Sequence, residues 1–186
     1  MKRLSGMIVI VTTLHFFLCS WYDKLSESDK QWLLVPQDLT DSLFSGYVPQ
    51  KDSRGRPFFF KKTKTSLSGF SAVFEQKLKR ARKGTVLYTV QVSYARTEVD
   101  ARALYGNYLT VEEKLKNSVI KTDPKRFDAD DVLLIQSDRL LYLTIRKKLI
   151  LYFVQIENCA IDLEMIKGKI LQKIDFIECH AAAFRT

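Results

Sequence analysis

Residues 132–156 have the sequence VLLIQSDRLLYLTIRKKLILYFVQI. Three runs rich in leucine, isoleucine, valine and aromatic residues are separated in it by two short polar segments, Ser137-Asp-Arg and Arg146-Lys-Lys. Runs of this length and composition, joined by short polar turns, are typical of consecutive antiparallel strands. The segment therefore predicts a three-stranded meander.

Two further strands are predicted before the meander. Residues 86–94 are mostly β-branched or aromatic, and residues 70–74 alternate between apolar and smaller or more polar side chains. The basic turn at 82–84 indicates that these two strands form a hairpin. The apolar residues of 71–82 also fit a helical period, so a helix is the alternative there, and the hairpin is the preferred interpretation.

Two helices complete the predicted domain. Thr97 followed by Asp100 resembles a capping box and begins a helix that extends to about Asn117. Ala160 to about Lys173 has the pattern of an amphipathic helix. The expected fold class is α+β: an antiparallel sheet of about five strands with two helices packed on one face, preceded by an irregular N-terminal arm.

The chain before residue 67 has little regular pattern. Residues 19–66 are interpreted as a tether followed by the irregular arm, and residues 67–186 as the α+β domain, while 58–60 is a strand candidate. The arm holds too many apolar residues for a free linker, so we expect it to lie against the domain. These residues are Trp32, Leu33, Leu34, Val35, Leu43, Phe44 and Tyr47.

The N-terminus has the two parts of a secretory signal peptide. Lys2 and Arg3 supply positive charge, and the uncharged, mainly apolar run 7–18 follows them. Twelve residues of helix rise about 18 Å, which is less than the roughly 30 Å hydrocarbon core of a bilayer. Residues 1–18 are therefore predicted to be a cleaved signal peptide rather than a permanent anchor.

Phe16-Phe17-Leu18-Cys19 closes this apolar run and resembles a relaxed bacterial lipobox. The resemblance implies that Cys19 is acylated and becomes the first residue of the mature protein. It also implies a lipid-anchored protein of the bacterial cell envelope. Plain secretion and an uncleaved anchor, with Trp21 and Tyr22 at the membrane interface, remain the alternatives.

The other two cysteines, Cys159 and Cys179, form a possible disulfide in an oxidising compartment. A helix of about 14 residues after Cys159 would carry the chain about 21 Å away. The last residues before Cys179 could return that far only if they were extended, because a disulfide needs Cα atoms within about 7 Å. Two buried thiols are the alternative.

The sequence contains few of the residues and motifs that catalytic or cofactor sites need. Beyond the predicted signal peptide His180 is the single histidine, and no glycine-rich phosphate loop is present. Three acids near residue 128 lack the glycine and terminal glutamate of an EF-hand, so we interpret them as a solvated loop. We therefore expect no catalytic residue, no metal and no cofactor; an exported hydrolase with an active site hidden by tertiary structure is the alternative.

The positive charge of the chain is concentrated in residues 51–83. This segment holds 11 of the 30 lysines and arginines but only two acids, Asp52 and Glu75, so it carries the whole net charge of +9. Interleaved phenylalanines strengthen its resemblance to a surface that binds anions. The candidate binding residues are Lys61, Lys62, Lys64, Lys77, Lys79, Arg80, Arg82 and Lys83.

The predicted export of the protein favours some anionic partners for this segment over others. An acidic protein, an acidic polysaccharide or anionic lipid is favoured over nucleic acid for an envelope protein. The alternative is that these bases are only the solvated faces of two strands. The sequence thus predicts a membrane-tethered envelope lipoprotein that acts as a binding or structural module.

Overall fold

The computed structural model describes residues 25–39, 43–80, 84–114, 119–120, 122–159 and 162–184. The chain has the predicted α+β fold with an antiparallel sheet, and eight strands lie within the described residues. The strands are β1 (Val48–Pro49), β2 (Phe59–Thr63), β3 (Ser68–Arg80), β4 (Gly84–Ala95), β5 (Val119–Ile120), β6 (Asp131–Ser137), β7 (Leu140–Lys147) and β8 (Ile150–Glu157). The helices are α1 (Glu27–Trp32), α2 (Glu98–Lys114) and α3 (Leu163–Cys179), with single 3-10 turns at Pro36–Leu39, Pro124–Phe127 and Ala181–Phe184.

The strands follow the order β1-β3-β4-β8-β7-β6-β5, and every neighbouring pair is antiparallel. β2 pairs with the same edge of β3 as β1 does, but farther from the β3–β4 turn. The predicted hairpin is β3–β4 and the predicted meander is β6–β7–β8, so all five predicted strands are confirmed. The three other strands lie at the sheet edges: β2 includes residues 59–60 of the strand candidate 58–60, and β1 and β5 have only two residues each.

One face of the sheet, which we call the arm face, carries a continuous apolar row across six strands. Direct cross-strand pairing aligns the side chains of Phe60, Phe74, Val90, Val154, Leu143 and Leu134 in that order. All six are at most 3% exposed. Burial of such a row is the main favourable contribution to folding, because it removes large apolar side chains from water.

The two long helices lie on opposite faces of the sheet, so their expected placement on one face is wrong. Helix α3 joins the arm-face core through Ile166, Ile170, Ile174 and Ile177. Helix α2 contacts β4, β6, β7 and β8 from the other side, where Tyr105 and its neighbours pack on a separate apolar cluster. The physical reason is that the meander strands are apolar on both faces, and each face needs a cover.

The N-terminal arm is part of the core, as expected from its apolar residues. Two phenols of the arm face hold its backbone: Tyr88 donates a hydrogen bond to Leu34 O at 2.7 Å, and Tyr152 Oη accepts one from Leu34 N at 2.6 Å. Tyr152 in turn donates to Trp32 O at 3.1 Å. Burial raises the pKa of each phenol well above the usual range for tyrosine. The described arm residues therefore share one core and one sheet with the rest of the domain.

Helix α3 begins later and ends later than the sequence predicts. The Asp162 side chain accepts a hydrogen bond from Met165 N at 3.1 Å and caps the helix, which then continues to Cys179. No bond joins Cys159 and Cys179, two residues that the structure describes. The possible disulfide is therefore not formed, because the segment expected to return towards Cys159 is instead helical and leads away from it.

Candidate functional site

The second face of the sheet, which we call the groove face, has a row of side chains next to the apolar row described above. Cross-strand pairing aligns Phe59, Glu75, Thr89 and Gln155 on β2, β3, β4 and β8, and the row then continues to Tyr142 on β7. Tyr142 is covered on the α2 side and is 7% exposed. The four residues before it are half-buried or exposed. The row thus changes from covered and aromatic to open and mainly polar between β7 and β8.

The chain between β1 and β2 forms a wall beside this open part of the row. Asp52 organises its turn: Oδ1 accepts hydrogen bonds from the backbone N–H groups of Arg54 and Arg56 at 2.8 and 2.9 Å. Oδ2 is bound by the Arg56 guanidinium at 2.6 Å. The pKa of Asp52 is lowered to about 2, mainly by the side-chain hydrogen bond from Arg56 and then by the backbone hydrogen bonds. Gly55 provides the positive φ of 76° that closes the turn.

A groove of about 690 Å³ lies between the wall and the sheet. Its volume is within the usual range of small-molecule sites, roughly 300–1,000 Å³. Its lining combines cations, carboxylates, amides, hydroxyls and phenylalanine rings, and so offers both donors and acceptors. The lining residues are Gln50, Lys51, Asp52, Ser53, Arg56, Pro57, Phe58, Phe59, Glu75, Gln76, Lys77, Leu87, Tyr88, Thr89 and Gln155.

Gln76 of β3 borders this lining, but its side chain lies on the arm face beside Tyr88, with which it pairs directly, and only 4% of its surface is exposed. Its Nε2 donates a hydrogen bond to Pro57 O at 3.1 Å, which connects β3 to the wall. Its Oε1 has no hydrogen-bond partner among the described residues. A buried amide oxygen without a partner is unfavourable, because it has lost the hydrogen bonds that water would provide.

The structure does not gather the predicted anion-binding residues on one face. Strand alternation directs Lys61, Lys77 and Lys79 to the groove face, where all three are exposed. Lys77 alone of these lines the groove, together with Lys51 and Arg56 from the wall. Lys64 follows β2 and is exposed, while Arg82, Lys83 and the predicted lipidation residue Cys19 lie outside the described residues.

Lys62 and Arg80 point to the arm face, where each already has a structural contact. Lys62 Nζ lies 2.6 Å from a carboxylate oxygen of Asp29, a residue that is 2% exposed and caps α1. The Arg80 guanidinium lies 5.8 Å from the ring centroid of Tyr47. These two bases connect the arm to the sheet edge, and we assign them to folding rather than to a ligand.

Acidic residues at the start of β6 and in the loop before it pair with bases at the end of β7. Asp130 lies 3.1 Å from Arg146, Asp131 also contacts that guanidinium, and Asp128 lies 2.7 Å from Lys147. The hydrogen bond from Lys147 lowers the pKa of Asp128. These carboxylates therefore hold the loop to the sheet.

His180 lies at the end of α3 and contacts its own helix. Its ring stacks on Phe176 with 4.2 Å between centroids, and Nδ1 lies 2.9 Å from Phe176 O. No cluster of three or more histidine, cysteine or acidic side chains arranged to hold a metal occurs in the described part of the chain. Both contacts of this imidazole are with the adjacent helical turn.

Sequence reasoning missed the groove residues Thr89 and Gln155. A signal was present for β4, where Leu87, Thr89, Gln91 and Ser93 form the less apolar half of the alternation. A single sequence does not reveal the strand register, and only the register brings Gln155 beside Thr89. The basic segment 51–83 contains Lys51 and Arg56 of the wall and Lys77 of β3.

Comparison with known proteins does not indicate what the groove binds. No protein-family model matches the chain, and no curated protein or solved structure matches it. None of the helices in the described ranges is long and apolar enough to cross a membrane.

Proposed function

We propose that the protein is an exported, membrane-tethered module of the bacterial cell envelope that binds an acidic partner in the groove. The observation that carries the binding half is the open polar part of the groove face, bounded by Lys51, Arg56 and Lys77. The tethering half rests on the signal-like N-terminus and on Cys19.

The groove is better suited to binding than to acid–base chemistry. It contains two carboxylates, those of Asp52 and Glu75. Asp52 is held by Arg56 with its pKa near 2, so it stays ionised and is a poor general acid. Its role is to shape the wall.

The direction of the tether favours a soluble partner over the membrane itself. Leu25 is the sixth residue after Cys19, so the link spans at most about 20 Å when extended. Leu25 packs on the arm-face core, whereas the groove is on the opposite face. A lipid at Cys19 would thus bring the arm side towards the bilayer and leave the groove accessible to acidic polysaccharide or acidic protein.

The tether is tested by the intact mass of the protein extracted from the membrane fraction. We expect a chain that starts at Cys19 and carries acyl groups, and we expect Cys19→Ala to abolish acylation. A mass that still includes Met1, or a membrane-free protein that starts elsewhere, would refute the lipid anchor.

Acidic-partner binding is tested by retention of the full chain, in neutral detergent, on an anionic polysaccharide matrix. Because long-range attraction between charges is screened by salt, retention should fall steeply as ionic strength rises. The double variant K51A/K77A should elute at clearly lower salt. The matched control R102A/K125A removes two exposed bases elsewhere and should elute like the parent. Equal loss in both variants, or no retention at low salt, would contradict the proposed site.

A further inference from the structure

The open part of the groove face carries three pairs in which a lysine stands directly opposite an aliphatic side chain of the neighbouring strand. Direct cross-strand partners point to the same face, with Cβ atoms about 5 Å apart. The pairs are Lys61–Val73, Lys77–Leu87 and Lys79–Val48. The same combination of a cation and an apolar side chain is thus repeated along β3, with the Lys77 pair in the groove itself and one pair on either side of it.

Both members of these lysine–aliphatic pairs are accessible to a partner. All three lysines are exposed, and none of their ammonium groups forms an ion pair with another described residue, in contrast to Lys62, which is bound by Asp29. Val48 is 62% exposed, so the lysine stem beside it leaves most of that side chain in water, and Leu87 and Val73 are half-buried. Such a pair is buried and neutralised together only by a ligand that has both an apolar group and an anion.

Glu75 restricts the partner further. It is exposed on the same face and lies on β3 between the Lys61 and Lys77 pairs. A polymer with a single kind of charge along its length, such as polyphosphate or a polyuronide, would be repelled at this position and would leave the aliphatic side chains in water. A protein segment varies from residue to residue. It can present carboxylates to the lysines, apolar groups beside them, and an amide or a base to Glu75.

The length of this surface fits a short segment. From Val73 to Lys79, β3 rises about 20 Å, at about 3.3 Å per residue. That length corresponds to about seven residues of an extended chain or about thirteen residues of a helix. A lipid bilayer also combines anions with apolar groups, but the proposed anchor at Cys19 directs the opposite face of the sheet towards it. A segment of a soluble protein is therefore the better fit.

We propose that the groove and the lysine–aliphatic pairs on either side of it dock an acidic, partly apolar segment of a partner protein. Carboxylates of this segment pair with the three lysines, and its apolar side chains cover Val48, Leu87 and Val73. This inference rests on the proposed function, and it selects an acidic protein over an acidic polysaccharide as the partner.

Three probes with equal negative charge test this choice. They are a capped peptide of three Glu-Glu-Val-Val repeats, a capped peptide of three Glu-Glu-Ser-Ser repeats, and hexagalacturonate, and each carries six carboxylates. Fluorescence anisotropy of the labelled probes measures their affinity for the full chain in neutral detergent, with a detergent-only titration as the blank. We expect the Glu/Val peptide to bind at least about tenfold more tightly than the other two, because it alone adds apolar contact to the same charge. Salt should weaken all three and leave the Glu/Val peptide with the highest remaining affinity.

Variants of the lysine–aliphatic pairs locate the docking surface. Val48→Thr keeps the shape of an exposed edge residue and should weaken the Glu/Val peptide about threefold, while the Glu/Ser peptide and retention on the polysaccharide matrix stay unchanged. Leu87→Thr should act in the same way, by about three- to tenfold, and Val48→Thr tests the surface even if Leu87→Thr fails to fold. Lys79→Ala should weaken both peptides. Val99→Thr is the matched control, since this valine is 75% exposed at the start of α2, and it should change none of the affinities.

The outcomes separate this inference from the broader one. Equal affinity for the three probes would leave an anion site and overturn the protein segment, and tighter binding of hexagalacturonate would assign the groove to acidic polysaccharide. A Glu/Val peptide whose affinity neither Val48→Thr nor Leu87→Thr lowers would bind outside this surface. If no probe binds while the polysaccharide matrix still retains the protein, the docking surface is refuted and the broader proposal stands. If the matrix also fails to retain it, both proposals fail together.

Discussion

Two adjacent rows of side chains cross the sheet, one on each face, and they differ in polarity and in burial. The row that includes Phe74, Val90 and Val154 is apolar throughout and is sealed by the arm and α3. The neighbouring row is displaced by one residue along each strand, so it lies on the groove face, and it includes Glu75, Thr89 and Gln155. It is covered only where α2 packs on the sheet. The same backbone ladder thus supports a core on one side and a groove on the other.

This contrast shows how stability and binding are separated in a single sheet. Large apolar side chains on the arm face supply the burial that folding requires. The open half of the groove face carries polar side chains that are not part of the packed core. Substitutions on the two faces should accordingly affect different measurements, and the predictions below test that separation.

The largest effect is expected from Phe74→Ala on β3. Phe74 is 1% exposed and packs against Phe58 and Tyr88. Its truncation should reduce the free energy of unfolding by about 3–5 kcal/mol, because transfer and cavity costs add. Val73→Ala, on the neighbouring residue of the same strand but the other face, should cost about 1 kcal/mol or less. Urea denaturation measures both, and similar losses would contradict the assignment of stability to the arm face.

A smaller effect is expected from Tyr152→Phe, which keeps the ring and removes the hydroxyl that binds Leu34 N and Trp32 O. Two buried backbone groups of the arm lose a partner, so we expect a loss of about 1–3 kcal/mol. Hydrogen exchange at Leu34 should accelerate as well. Tyr142→Phe is the matched control on the groove face, where the ring packs 4.7 Å from Phe153, and should change stability by less than about 0.5 kcal/mol.

The sequence predicted the meander and hairpin because each apolar run has strand length and β-forming composition. It underestimated α3, where Ile174 and Ile177 continue the spacing begun by Ile166 and Ile170. It placed both helices on one face because it did not use the two-sided apolar character of the meander strands. The groove was not predictable, since its floor depends on strand register and its wall on the Asp52 turn, and both are tertiary features.

A third prediction compares two similar helix caps on opposite faces. Asp29 closes a capping box with Ser26 at the start of α1 and also pairs with Lys62. Asp100 makes the corresponding contact with Thr97 at the start of α2, 2.8 Å between side-chain oxygens. Asp29→Ala should cost about 1 kcal/mol, since it removes the buried cap and the link to β2. Asp100→Ala should cost only a few tenths in the same thermal or urea measurement, and the reverse order would indicate that the arm is not fastened through Asp29.

The smallest effect is expected at Asp52, which shapes the groove wall without entering a core. Its pKa is about 2 in the folded chain, below the ordinary value of 3.8, so its hydrogen bonds are fully present above pH 3.8 and are lost as pH falls through about 2. Because the turn is exposed, this loss should be local. The amide resonances of Arg54 and Arg56 should titrate with that midpoint, while those of the arm-face residue Val90 should not follow it. Asp52→Asn should remove this titration and weaken ligand binding with little change in melting temperature. An amide midpoint near 3.8 would mean that the Arg56 guanidinium does not hold the Asp52 carboxylate.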